Sequence, residues 1–463
     1  MSISTASRLR PRTEPELAGW LARSAATTQG AQLSTDEVLS WLADRTQAHD
    51  FRVDPIPFAD LDGWFFDEAS GNLGHHSGRF FTVEGLQVTV ADASGVTAPR
   101  RWCQPILNQP EIGILGLLVK EFDGVAHVLI QAKMEPGNRN LLQLSPTVQA
   151  TWSNYTGVHR GAAVRYLEYF TGPADGRVLA DVLQSEQGSW FYRKVNRNMI
   201  VEVSGEVPPH EDFRWLTLGQ IGQLLHHDNV VSMDARSTLS CLPLDRGERG
   251  ALHSDAEVLS WFTGVRSRYT VRADRIPLAD VSGWTRTESA IGHEHGRHFR
   301  IVGVSVHAGS REITSWSQPL LEPSGLGVVC FLACQIDGVR HVLARGYVEG
   351  GLVASVELGP TVQCVPDDCA HLPEAQRPPF LDRVLSAAPS RILYSAIQSE
   401  EGGRFLNAEN RYLVIDVGEP FEPPPDYLWV THGQLNTLVR HGHYLNVEAR
   451  TLLTALNAIA VTA

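Results

Sequence analysis

Apolar residues fall at helical spacing just after Ser34 and again just after Ser254, through Val38, Trp41 and Leu42 and then Val258, Trp261 and Phe262. Each serine is followed three residues on by a glutamate, Glu37 or Glu257. That is a capping-box pattern, and it predicts an amphipathic helix at both places. Between them the pattern shortens. Apolar and β-branched runs at Phe80–Val83, Gly113–Val119, Ala126–Gln131, Thr147–Ala150 and Met199–Val203 predict strands, and VAHVLIQA reads as a buried one. Helical spacing returns at Thr217–His226 and Ala235–Leu242. Strands in the middle and helices at the ends predict an α+β fold.

The same wording then recurs. EVLSW at Glu37–Trp41 returns at Glu257–Trp261, and IPFADLDGW at Ile56–Trp64 returns as IPLADVSGW at Ile276–Trp284. Collinear matches continue to the end, among them Trp102-x-Gln104-Pro105 with Trp316-x-Gln318-Pro319, and Gln184-Ser-Glu186-x-Gly188 with Gln398-Ser-Glu400-x-Gly402. One unit has been duplicated in tandem. The expected division is an extension over residues 1–32, a first repeat over 33–243, a linker over 244–253 and a second repeat over 254–463.

Composition narrows the partners. The 463 residues carry 39 basic and 52 acidic side chains, a formal charge of −13. A nucleic-acid or anionic-membrane surface is therefore not the expected partner. No apolar run approaches the ~20 residues of a membrane span, and no signal-like segment follows Met1. Six cysteines suggest no disulfide framework, so the expectation is a soluble cytoplasmic protein with reduced thiols. Only three lysines occur, Lys120, Lys133 and Lys194. A desolvated lysine can lose its proton near neutral pH and an arginine cannot, so each lysine matters chemically.

Duplication supplies an internal control, because residues present in one copy only are candidates for chemistry. Lys133 becomes Tyr347, Tyr155 becomes Cys369, and Arg193, Lys194 and Asn198 have no like counterpart, whereas Glu135, Glu186, Asn196 and Arg197 persist as Glu349, Glu400, Asn410 and Arg411. A single catalytic centre is expected in the first repeat. Arg193, Lys194 and Arg197 form either a pyrophosphate cradle or a solvated basic hairpin. Arg79 and its partner Arg297 suit a phosphate contact or a structural ion pair. Trp152 and Trp190 suit base stacking or core packing. No dinucleotide fingerprint, P-loop or nucleophile elbow is present, and the cysteine spacings are not shared between the copies, which disfavours zinc.

The runs QPEIGILG (Gln109–Gly116), QAKMEPGN (Gln131–Asn138), QLSPTVQAT (Gln143–Thr151), SNYT (Ser153–Thr156), LQSEQGSWF (Leu183–Phe191), NRN (Asn196–Asn198) and FRWLTLGQ (Phe213–Gln220) resemble the NDP-4-keto-6-deoxyhexose 2,3-dehydratases of actinomycete antibiotic-sugar pathways. The resemblance covers nearly the whole chain. It implies dTDP-4-keto-6-deoxy-D-glucose as substrate, loss of water across C2 and C3, a pair of Nudix-like domains, a homodimer, and a separate ketoreductase that captures the labile diketo product. It implies no cofactor and no metal, since the Glu-rich box of Nudix hydrolases is missing around Gln184–Asn198. The matched runs and repeat positions give Trp102, Gln131, Gln143 and Asn154 as further substrate contacts. They give Arg297, Trp316, Arg345, Asn410 and Arg411 as a second nucleotide pocket.

Such a reaction needs a base for the C3 hydrogen, a donor to the C4 oxygen and an acid for the C2 hydroxyl. Lys133 suits the donor or the base, with a structural pair to Glu135 or Glu186 as the alternative. Glu186 and Glu135 are base candidates, and Tyr155 is a candidate donor to the C2 oxygen.

Overall fold

The computed structural model describes residues 12–93, 98–151, 164–172, 176–244, 250–309 and 314–462. The predicted helices form at Thr35–Gln47 and Asp255–Arg268, and both capping boxes close as expected. The later pair shifts slightly, to Leu218–Leu224 and Met233–Ser240. The strand predicted at Phe80–Val83 begins later and runs far longer, as Thr82–Asp92. The N-terminal segment is no loose extension. Its helix Glu14–Ala26 buries Trp20 and Leu21 completely in the main core.

Each repeat contributes the same two sheets among the described residues. One is seven-stranded and mixed, with Val195–Val203 lying parallel to Gly113–Phe122 in the first repeat and Glu409–Asp416 parallel to Gly327–Ile336 in the second. The other is five-stranded and antiparallel. Its edge strand comes from the other repeat. Phe51–Ile56 pairs with Phe299–Ala308, and Tyr269–Ile276 pairs with Thr82–Asp92. The main core accordingly joins Val128 and Leu239 of one repeat to Phe262 and Leu452 of the other. The fold is a mixed α/β duplication whose copies exchange strands.

Within each mixed sheet two neighbouring strands part. Gly113–Phe122 and Val125–Met134 pair only near their shared turn, and a hairpin enters the gap, Leu142–Ser145 joining one strand and Val148–Ala150 the other. Thr147 sits at the fork. Its hydroxyl takes the amide of Leu118 at 3.0 Å and donates to the carbonyl of Leu129. Thr361 does the same between Leu332 and Leu343. A valine at 147 fills the same volume but strands two buried backbone groups. Thr147→Val is expected to lose about 2–3 kcal/mol of stability, read as a lower urea midpoint with unchanged slope.

Candidate active site

The fork places Lys133 where it can act. Along Val125–Met134 the buried Ala132 and Met134 enter the main core, while Gln131 and Lys133 alternate with them and stay half-buried. The Lys133 ammonium lies 3.3 Å from Glu135 and also donates to Gln149 on the hairpin. The Gln149 amide in turn donates to the same Glu135 oxygen at 2.7 Å. Glu135 is buried, so this triangle fixes the amine beside a carboxylate that favours its charged form.

Around it stand three more acids. Glu186 follows the end of the strand Gly176–Ser185, is buried and accepts from Asn196 at 2.7 Å, and burial raises its pKa. Burial raises that of Asp234 well above the carboxylate range, with Glu135, Glu186 and Glu401 adding repulsion. Glu401 is raised to about 7 by burial, with Glu135 and Glu186 pushing the same way and Arg404 and Lys194 opposing. The Lys194 ammonium donates to the carbonyl of Glu111, and burial lowers its pKa. Glu186 Oε2, Asp234 Oδ1 and both polar atoms of the Asn138 amide are buried without a hydrogen-bond partner among the described residues.

Glu401 and Arg404 belong to the second repeat. The turn that carries them crosses into the first repeat's site through backbone bonds from Gly137 to Gly402 and from Asn407 to Gly137. Gly402 is packed so closely that a Cβ there would lie 2.4 Å from Asn138 and 2.9 Å from Glu135. The turn of the first repeat crosses the other way. Gly188 and Ser189 donate to Glu349, at 3.0 and 2.7 Å. Each site is therefore composite, with side chains drawn from both repeats.

The two sites differ in charge. Where the first has Lys133, Asn138, Lys194, Glu401 and Arg404, the second has Tyr347, Leu352, Ala408, Gln187 and Trp190. The acids Glu349, Glu400 and Glu448 persist there, and the Tyr412 hydroxyl donates to Glu400. Burial raises Glu349 to about 7 and Glu448 well above its ordinary value.

Several predicted contacts do not converge on the first site. The basic hairpin divides, because Lys194 points inward, Arg193 stacks on Tyr192, and Arg197 pairs with Asp181 at the surface. Trp190 stands in the turn that serves the second site, edge-on to Phe405. Trp102 and Trp316 each spend their indole N–H on the glutamine two residues on. Gln143 lies buried between Asn140 and Ser399, and Asn198 beside Thr238. Arg79 is exposed, two residues before Phe81, whose ring carries the Arg404 guanidinium at 4.6 Å. In the second copy Asn410 bonds Glu400, Arg345 lies over Tyr347 and Tyr427, Arg297 bonds His371, and Arg411 is exposed. Trp152, Asn154 and Tyr155 lie outside the described residues. Asp234, Glu401, Arg404 and Gln149 were not foreseen. Setting Glu401 against Gln187 and Arg404 against Trp190 is the signal in the sequence that exposes two of them.

A duplicated α/β protein with an amine, two further cations and protonatable carboxyls gathered in one of two equivalent sites is built for proton-transfer chemistry on an anionic, oxygen-rich ligand. The family profile for NDP-hexose 2,3-dehydratase matches residues 35–242 and 255–456. The chain belongs to that family. It is 57% identical to a dTDP-4-dehydro-6-deoxy-alpha-D-glucopyranose 2,3-dehydratase of Amycolatopsis orientalis, over 99% of this chain and 98% of the relative. Proteins of the same description from Streptomyces violaceoruber and Saccharopolyspora spinosa are 51% and 48% identical, over 91% and 94% of this chain and 96% and 94% of theirs.

Proposed function

We propose that this chain is a hydro-lyase that removes water across C2 and C3 of dTDP-4-keto-6-deoxy-D-glucose. The observation that carries the reading is the Lys133–Glu135–Gln149 triangle set among buried carboxyls in one composite site and lost from its twin. The C4 ketone makes the C3 hydrogen acidic. Lys133, held in place by Glu135 and Gln149, donates to the C4 oxygen as enolate charge develops there. Asp234 and Glu186, held toward their acid forms by burial, keep the rest of the pocket from repelling that charge. The diphosphate is placed against Arg404, the guanidinium that the second repeat brings beside Glu401.

The elimination product tautomerises to a 3,4-diketone, and a ketoreductase must consume it before it decomposes. The same reading makes each repeat Nudix-like, its mixed sheet built on a central parallel pair between helices. It makes the protein a cytoplasmic homodimer. The second composite site, which lacks counterparts of Lys133, Lys194 and Arg404, retains nucleotide binding at most. Among the described residues no helix is long and apolar enough to cross a membrane.

The test is incubation of purified protein with the 4-keto sugar nucleotide, without added cofactor or metal, followed by anion-exchange chromatography. Loss of substrate with release of free dTDP is expected, because the diketo product breaks down. Unchanged substrate from a folded protein that binds dTDP would favour a binding module instead.

A further inference from the structure

We propose that Glu401, contributed by the second repeat, is the catalytic acid–base of the site built on Lys133; the inference rests on the dehydratase reading. Three of the four clustered acids cannot distinguish the working site from its twin. Glu135, Glu186 and Asp234 are matched by Glu349, Glu400 and Glu448, acids in both copies and all buried. Glu401 is the exception on both counts. Its counterpart Gln187 keeps the shape but carries no exchangeable carboxyl proton, and Glu401 is half-buried where the other three acids are buried.

The surroundings fit the task. Lys194 and Arg404, present only beside Glu401, oppose the repulsion from Glu135 and Glu186, Glu111 acts on both of those cations, and Asp234 is acted on by both Glu401 and Lys133. The unpartnered Glu186 Oε2 and Asn138 amide beneath are buried polar atoms awaiting a hydroxyl-rich ligand. A carboxyl that gains and loses its proton near neutrality is matched to acid–base work at that pH.

The step balances on this one group. The Glu401 carboxylate takes the C3 proton, and the C–H electron pair becomes the enolate, its charge on the C4 oxygen beside Lys133. The enolate collapses to a C2–C3 double bond, the C2–O bond breaks, and the oxygen leaves as water with the proton Glu401 had taken. The C3 hydrogen and the C2 hydroxyl lie on the same face of a D-gluco ring, so one carboxyl can reach both.

The experiment compares wild type with Glu401→Gln and Glu401→Asp, using the 4-keto sugar nucleotide in D2O. Substrate loss and deuterium uptake at C3 are followed, together with dTDP affinity and melting temperature. Glu401→Gln is expected to lose about 10²–10⁴-fold in kcat and to stop C3 exchange, with dTDP affinity and melting unchanged. Glu401→Asp keeps the acid one methylene short, so it retains part of the rate and the near-neutral limb of the pH profile. Turnover of Glu401→Gln within fivefold of wild type, or C3 exchange at the wild-type rate, overturns the proposal. Should the glutamine variant fail to fold, loss of the near-neutral limb in a folded Glu401→Asp does the same. Wild type without dehydration would instead sink the dehydratase reading.

Discussion

Lys133→Met is expected to lower kcat by about 10²–10³-fold while the protein still folds and binds dTDP. The amine donates to Gln149 and pairs with Glu135 at 3.3 Å, so its position is set before substrate arrives. A group pre-placed against developing charge needs no reorganisation in the transition state, and its loss falls on kcat rather than on KM. Methionine keeps most of the stem. The buried Glu135 keeps its bond from the Gln149 amide at 2.7 Å. Lys133→Arg separates charge from geometry. It keeps the cation, but the planar fork cannot occupy the point where a single ammonium meets two acceptors, so recovery should be partial at best. Wild-type turnover by a folded Lys133→Met, measured with the same substrate, would remove Lys133 from the chemistry.

The residues that the sequence makes legible are those whose meaning is local. The capping boxes at Ser34 and Ser254, the amphipathic helices they open and the duplicated order of elements all depend on neighbours a few positions away. Lys133 was also legible, because an amine beside core residues on a strand, replaced by tyrosine in the other copy, needs a reason. Arg193, Lys194 and Arg197 misled for a physical cause. They are close in number, but the positive φ of 51° at Arg193 turns the chain before the strand Val195–Val203, and only Arg197 lies on that strand, so their side chains reach different environments. The composite site was invisible because nothing local marks a strand exchange. Phe51–Ile56 reads the same whether it pairs with its own repeat or with Phe299–Ala308. Once the strands cross, the turn at Gly402 belongs to the partner's pocket, and Glu401 and Arg404 go with it.

That exchange has a consequence for the units themselves. A fragment ending before the linker, residues 1–243, and one beginning after it, residues 254–463, are each expected to be unfolded or aggregated when made alone, and to form a 1:1 complex when made together. Each fragment would lack an edge strand. The first loses Tyr269–Ile276, which pairs along eight residues with Thr82–Asp92, and the second loses Phe51–Ile56. An unpaired edge exposes backbone groups that template association. Each fragment would also lose a buried arginine's partners. Arg236 reaches the carbonyl of Ser399 at 2.6 Å, Arg450 reaches that of Ser185 at 2.6 Å, and both arginines are fully buried. Within its own repeat each guanidinium keeps one carbonyl, that of Val231 or Leu445, and losing the charged hydrogen bond to the other repeat costs about 1.5–3 kcal/mol, a sizeable share of the ~5–15 kcal/mol by which a folded protein is stable. The largest core draws on both repeats, so neither fragment closes it alone. Size-exclusion chromatography with far-UV circular dichroism checks the outcome. A monomeric, cooperatively melting fragment from either side would show that the exchanged strands are dispensable. Activity recovered only in the co-expressed pair would show in addition that the site with Lys133 on one fragment and Glu401 on the other is a single catalytic unit.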